Sequence, residues 1–425
     1  MLYSVLTDRY AGLDDATLST VERWGADGKP LDAEEEALAE VLTQAGFLVD
    51  ARAADDAALQ KHLDDASEGV PGAMYVILMP TLACNLACNY CFQKESPAFN
   101  RMTAEVESGT VRWILARATA GGCRRLTVHY FGGEPLTRKD YVLRTAEIFS
   151  AAMAAQGGTF DWELTTNAVH LDLPFASALR ATGDGFIKIT LDGDKETHDQ
   201  SRVYRNGRGT FDRIFTNLTE VAGHVRLRIG GNFYPGQEAS YERLMDRLQA
   251  ADLLSKLEEV RFKPVVETSK SCTGCAATAE SNETLIQITR LVQKKSAAAP
   301  DLVHSRLPSG PCELHWKNNF TIDPDGLVYK CPAVAGRPEM AVGSVCSSEA
   351  DKLAPLVASR PWDQCGDCAF MPVCVGGCLG GQYLATGRTD QVFCKKSEFE
   401  LMFREQVSLR YRAELGGREW GYPAG

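Results

Sequence analysis

Six short apolar runs recur between residues 71 and 300, and a stretch with helical spacing follows each one. No other feature constrains the fold as strongly. The runs are Tyr75–Leu78, Arg125–Phe131, Trp162–Thr166, Phe186–Leu191, Val225–Ile229 and Val260–Val266. The helical patterns lie near residues 103–120, 139–155, 173–181, 210–223, 239–254 and 283–296. Runs of this length read as buried strands, and strand–helix repeats pack as a parallel sheet with right-handed crossovers. The predicted fold class is therefore α/β, a partial (β/α)6 barrel. Sheets of that kind place their ligands beyond the carboxyl ends of the strands.

The chain has 425 residues, enough for more than one domain. Residues 1–70 read as a small α+β domain. It has a strand at Leu2–Leu6 and a helix opened by Asp32 and stopped by Gly46. A further strand at Phe47–Val49 and a helix over about 55–65 follow. This segment holds 16 Asp or Glu against 5 Lys or Arg, which accounts for the whole net charge of −11. Such a balance disfavours nucleic acid as the partner. The segment suits either a stabilising cap or a module that docks a peptide. Residues 301–400 are richer in cysteine and glycine. Residues 401–425 suit a closing helix and a tail ending Trp420-Gly421-Tyr422-Pro423. No run of 18 apolar residues occurs, so no membrane-spanning helix is expected. The N-terminus lacks a basic start and an apolar stretch, so a cytoplasmic location is expected.

The 14 cysteines are clustered. In a reducing compartment such clusters more often bind metal than form disulfides. Cys84, Cys88 and Cys91 follow the first strand with spacing C-x3-C-x2-C. Three thiolates in a tight loop can hold three irons of a four-iron cluster and leave the fourth iron open; a zinc loop is the alternative. Gly132-Gly133-Glu134-Pro135 closes the second strand, and Thr166-Asn167-Ala168 closes the third. Thr190-Leu191-Asp192-Gly193 closes the fourth, with His198 and Arg202 beyond it.

Together these residues resemble the radical S-adenosylmethionine (SAM) enzymes. The resemblance implies that Cys84, Cys88 and Cys91 hold a SAM-binding [4Fe-4S] cluster. It implies that Gly132, Gly133 and Glu134 bind the methionine amino group. Thr190 and Arg202 would contact the cofactor, the Arg through its carboxylate, and Tyr90 would lie near the adenine. Ala168 departs from the family's usual glycine.

A second set begins at Cys312, with Gly326 and Cys331 following at C-x13-G-x4-C. Cys365, Cys368, Cys374 and Cys378 come later as C-x2-C-x5-C-x3-C, and then Cys394. This resembles the SPASM extension of radical SAM enzymes, and the two resemblances cover about residues 75–395. It implies two auxiliary [4Fe-4S] clusters, three clusters in all. Cys365, Cys368, Cys374 and Cys394 would hold the outer one. Cys312, Cys331 and Cys378 would hold three irons of the inner one, with Cys272, Cys275, Cys346 or an open position as the fourth ligand. A zinc ribbon over Cys365–Cys378 is the alternative. Cys123 reads as a small buried hydrophobe.

The resemblance implies an enzyme that abstracts hydrogen through a 5′-deoxyadenosyl radical. Its partners would be a ribosomally made precursor peptide and an electron donor such as flavodoxin or ferredoxin. The product would be a thioether or carbon–carbon cross-link, formed by two-electron oxidation. A second implied reading is a formylglycine-generating sulfatase maturase. Those enzymes carry an Asp after the second SPASM cysteine, where this chain has Pro332, which cannot accept a proton. A metal-stabilised binding scaffold without turnover is the reading outside enzymology. Glu267, His129, Tyr234 and His315 fall near strand ends or the auxiliary region, and none has a spacing that marks it as a base.

Overall fold

The computed structural model describes residues 2–27, 30–49, 52–95, 101–265, 279–296, 311–347 and 352–414. Glu267, Cys272, Cys275 and the segment Trp420–Pro423 lie outside the described residues.

The N-terminal segment contains an antiparallel ribbon, β1 (Leu2–Ser4) and β2 (Arg9–Ala11), and three helices. These are α1 (Asp15–Asp27), α2 (Ala33–Gln44) and α3 (Arg52–Glu68). Asp32 caps α2 as expected, accepting from the backbone N–H groups of Glu34 and Glu35. The strand expected at Phe47–Val49 does not form. Gly46, at φ +80°, turns the chain left-handed; its N–H donates to the Thr43 carbonyl, and that of Phe47 to the Leu42 carbonyl. This is a Schellman closure, so Phe47 completes the helix end rather than starting a strand.

Six parallel strands follow, adjacent in chain order: β3 (Ala73–Leu78), β4 (Arg125–Tyr130), β5 (Thr159–Thr166), β6 (Asp184–Thr190), β7 (Arg226–Phe233) and β8 (Glu259–Pro264). They coincide with the six apolar runs, shifted by a few residues at their ends. The crossovers carry α4 (Ala104–Ala120), α5 (Lys139–Ala155), α6 (Leu173–Arg180), α7 (Lys195–Ser201), α8 (Phe211–Val221) and α9 (Glu238–Ala250). α10 (Ala279–Lys295) follows β8. The short α7 was not anticipated.

Burial alternates along β5, as a strand's two-residue period requires. Phe160, Trp162 and Leu164 are buried, and the Phe160 ring packs on Phe149 of α5, so this face meets the helices. Asp161, Glu163 and Thr165 point to the concave side and are half-buried. The same parity holds on β4, where His129 faces the concavity. The sequence thus makes a barrel wall with an oily outer face and a polar lumen.

The sheet continues past β3. β9 (Asn319–Ile322) pairs parallel with β3, β10 (Leu327–Tyr329) antiparallel with β9, and β11 (Gly343–Ser344) with β10. The order is β11-β10-β9-β3-β4-β5-β6-β7-β8. After it come α11 (Pro355–Ala358), α12 (Met371–Cys374), α13 (Leu379–Thr386) and the long α14 (Lys396–Glu414). The N-terminal segment packs on this part of the chain. Tyr3 and Tyr10 join Phe403 and Val407 in one apolar cluster, and His62 hydrogen-bonds the Pro372 carbonyl at 3.0 Å. Among the described residues no helix is long and apolar enough to cross a membrane.

Candidate active site

The loop after β3 brings Cys84, Cys88 and Cys91 to the carboxyl end of the sheet, and two neighbouring segments clamp it. On one side Gly133 and Glu134 donate their N–H groups to the carbonyls of Thr81 and Ala83, both at 3.0 Å. A Cβ on Gly132 would lie 2.4 Å from the Thr81 carbonyl oxygen, and one on Gly133 would lie 2.3 Å from that of Ala83. The resemblance implies that these glycines bind the methionine amino group. The structure shows that they first make room for the cysteine loop. On the other side Ala87 donates to Val203 at 2.8 Å, Asn89 to Ser201 at 3.2 Å, and the Arg205 Nε to the Cys84 carbonyl at 2.9 Å.

Glu134 is buried beneath this loop. Its carboxylate accepts from the Leu136 N–H at 2.9 Å, the Thr166 hydroxyl at 2.7 Å and the Asn167 N–H at 2.7 Å. Burial raises its pKa, and these bonds oppose the rise. The Glu thereby ties the end of β4 to the end of β5. Asn167 reaches onward, donating its amide to Asn85 at 2.7 Å. Ala168, in place of the usual glycine, sits at φ +60°. That conformation costs an L-residue about 1–2 kcal/mol. Its fully buried methyl gives back about 0.8 kcal/mol, so the site tolerates Ala.

A second buried group joins β6 and β7 to the loop. The Tyr90 hydroxyl donates to Asp192 and accepts from Arg202 Nη1 at 2.8 Å and from the Asn232 amide at 3.2 Å. The Asn232 N–H also donates to Asp192 at 2.8 Å. Burial disfavours both charges, but Tyr90, Cys88 and Asp192 outweigh it at Arg202 and raise its pKa. His198 orients the arginine's backbone. Its Nδ1 accepts from the Asp192 N–H at 3.2 Å, so Nε2 carries the proton toward Thr210 at 3.1 Å. Thr210 in turn donates to the Arg202 carbonyl at 2.6 Å. The Arg202 Nε is buried without an acceptor among the described residues. Thr190 ends β6 on the concave side, beside Gly230. The sequence brought out Tyr90 and Arg202. Asp192 stood in a quoted motif without a role, and Asn232 carried no signal.

The later cysteines fall into two groups. Cys312, Cys331 and Cys378 lie near enough that Cys378 perturbs both others. Burial first, then Glu313 and Cys378 at Cys312 and Cys378 and Cys312 at Cys331, push these two thiols up to about 12. A Cβ on Gly380 would lie 2.8 Å from the Cys331 sulfur, and the Gly381 N–H points at the Cys378 sulfur at 3.4 Å. The start of α13 is thus shaped to let two thiols approach. Cys365, Cys368, Cys374 and Cys394 form the other group, again coupled to one another. Cys346 does not join the inner group. It packs near Gly109 and Gly326, at the end of β10 opposite Cys331, which removes it as the fourth ligand. Cys123 is buried, as expected.

The lumen holds a polar chain. Tyr75 donates to Glu163 at 2.8 Å and meets His129 Nδ1 at 3.0 Å, and His129 Nε2 meets Thr165 at 2.9 Å. His315 packs edge-on against Trp362, and the Tyr234 backbone N–H bonds Gln237. Burial, then Lys188, lowers the His129 pKa to about 3; burial, then Arg202, holds that of His198 well below its usual value. Both folded values lie under the unfolded value of about 6.5, so the unfolded chain takes up protons first as pH falls. Stability is expected to drop below pH 6.5, by about 3 kcal/mol for the pair between pH 7.5 and 5.5. Denaturation of the holoprotein across that range checks this; half the drop would mean one ring is charged in the fold, and a flat profile that both are.

The residues present fit iron–sulfur clusters and SAM. Among the described residues no three His, Cys, Asp or Glu close on one metal ion. The donor set of each cysteine group is thiol, the ligand type that iron–sulfur clusters take. The buried, acceptor-less Arg202 Nε beside the loop suits a ligand carboxylate.

A six-stranded parallel sheet with a three-thiol loop at its carboxyl rim is the arrangement that the sequence resemblance implies. Residues 78–248 match the radical SAM superfamily model. The chain is similar to the serine-type anaerobic sulfatase-maturating enzyme of Klebsiella aerogenes, at 24% identity over 75% of this chain and 83% of that one. It is also similar to the PqqA peptide cyclase of Gluconobacter oxydans, at 26% identity over 79% and 94%. Among solved structures, anSMEcpe with bound AdoMet superposes with a TM-score of 0.61 at 17% identity. The match covers 79% of this chain and 98% of that one, and supports the fold.

Proposed function

We propose that this enzyme is a peptide maturase that installs a cross-link, thioether or carbon–carbon, in a ribosomally made precursor by two-electron oxidation. Cys84, Cys88 and Cys91 would hold the SAM-binding cluster, and the two later cysteine groups would hold auxiliary clusters. With these groups bound and an electron supplied by a flavodoxin or ferredoxin, the site would supply the radical chemistry that takes hydrogen from substrate. The protein's own part is placement. Glu134 and Arg202 fix the two sides of the cofactor site, and the walls of the lumen exclude bulk water. Cys312, Cys331 and Cys378 leave one position of the inner cluster without a described cysteine, where a substrate thiolate could bind iron.

The observation that carries this reading is the pairing of the rim loop with two separate cysteine groups. The likeness to a peptide cyclase supports a peptide substrate. The likeness to a sulfatase-maturating enzyme supports formylglycine formation as a second reading. Pro332 weighs against it, since an acid proposed as base in those enzymes has no counterpart there. The two separate in one experiment. The anaerobically reconstituted enzyme is mixed with SAM, a reductant and short peptides encoded beside its gene, and, in parallel, a sulfatase-derived peptide. Loss of two hydrogens without an aldehyde is expected for a neighbouring peptide. An aldehyde on the sulfatase peptide alone would replace the cross-link reading with the second one.

A further inference from the structure

The concave face of β6, β7 and β8 gathers positive charge that Glu163, Glu258 and Glu259 only partly offset. Lys188, Arg228, Arg261 and Lys263 line it, while the intervening residues are apolar and buried. Arg228 is engaged by Glu258 and Glu259 and lies 3.5 Å over the Phe186 ring. Lys188, Arg261 and Lys263 have no ion pair or hydrogen-bond acceptor on their side chains among the described residues.

Their placement is specific. Pairing sets Lys263 directly across from Asn232, the residue that bonds both Tyr90 and Asp192. Lys263 therefore stands one strand from the cofactor-side group. It is also near enough to Cys378 of the inner cysteine group to feel its charge. Gly230 separates Lys188 from Arg261, and a Cβ there would lie 2.6 Å from the Lys188 Cε. The missing side chain is what lets Lys188 lean toward β8. Burial, then Lys263, lowers the pKa of Lys188 against the opposing pull of Glu259, while Lys263 itself is exposed to solvent, with Arg261 beside it and Cys378 and Asp192 opposing. Crowded like charges weaken a fold unless an anion joins them.

We propose that Lys188, Arg261 and Lys263 form a carboxylate-binding patch, and that the peptide held in the lumen presents an acidic side chain to it beside the residue that loses hydrogen. This rests on the peptide reading above and names the chemistry of its substrate. The SAM carboxylate is the other source of the same anion, and the test separates them.

The SAM-saturated holoenzyme is exposed anaerobically to a random library of short, acetylated and amidated peptides, and retained peptides are sequenced. Wild type is expected to enrich Asp or Glu about tenfold at one position, the worth of one good charged contact. Lys263→Met and Lys188→Met should lose that enrichment, and Lys263→Arg should keep it. Retained peptides without acidic enrichment, or enrichment unchanged in Lys263→Met, overturn the patch and leave the peptide reading standing. Failure of wild type to retain any peptide overturns both. SAM affinity, measured by equilibrium dialysis, should be equal in wild type and Lys263→Met. A tenfold loss would assign the patch to the cofactor and overturn the proposal.

Discussion

Cys88→Ala is expected to lower iron content by one cluster and to cut reductive release of 5′-deoxyadenosine by more than about 100-fold. Even partners one layer out from a metal cost 10–100-fold when removed, so a direct ligand should cost more. Cys123→Ala is the matched control. It removes a buried sulfur from the same core but lies in none of the three cysteine groups. It should keep full iron and full cleavage, and cost about 1 kcal/mol of stability. Iron and sulfide assays with chromatography of the nucleoside distinguish the two. If Cys88→Ala still cleaves SAM at the wild-type rate, the rim loop does not hold the catalytic cluster.

Arg202→Ala should be the most destabilising single change near the site. Asp192 is 1% exposed and Arg202 7%, so removing the guanidinium strands a buried carboxylate beside Tyr90. The two charges are joined through the Tyr90 hydroxyl, and removing one of two charges buried together costs about 3–5 kcal/mol. Adding Asp192→Asn should restore part of the loss, because the stranded charge goes with it. Arg202→Lys retains the charge but not the forked donors. It should cost less stability and still weaken SAM binding about tenfold or more. Denaturation and equilibrium dialysis, run on all three variants, separate support of the fold from grip on the cofactor. Equal stability of Arg202→Ala and wild type would mean that Asp192 is held protonated, without need of the arginine.

The barrel was legible in the sequence because each of its strands is a run of apolar residues long enough to declare itself. β9 and β10 were not. They are four and three residues long, and they sit among cysteines, glycines and asparagines. The partner that ties β9 to the barrel, β3, lies far off in the chain, so no local pattern announces that pairing. The rim loop and the later cysteines were legible through spacing alone. Asn232 and Lys263 were not, because what matters about them is which strand each faces. Phe47 misled for a local reason: its apolar run is spent closing the end of α2.

The pairing of β9 with β3 bears on how this chain can be divided. A border drawn at residue 300, where cysteine content rises, would cut through a continuous sheet. Cutting there would strip the backbone partners from Tyr75, Val76, Ile77 and Leu78. That leaves an apolar strand with an open row of N–H and C=O groups, the kind of edge that recruits other chains. The barrel alone should therefore self-associate, and the cysteine-rich part is the cover that keeps its first strand from aggregating.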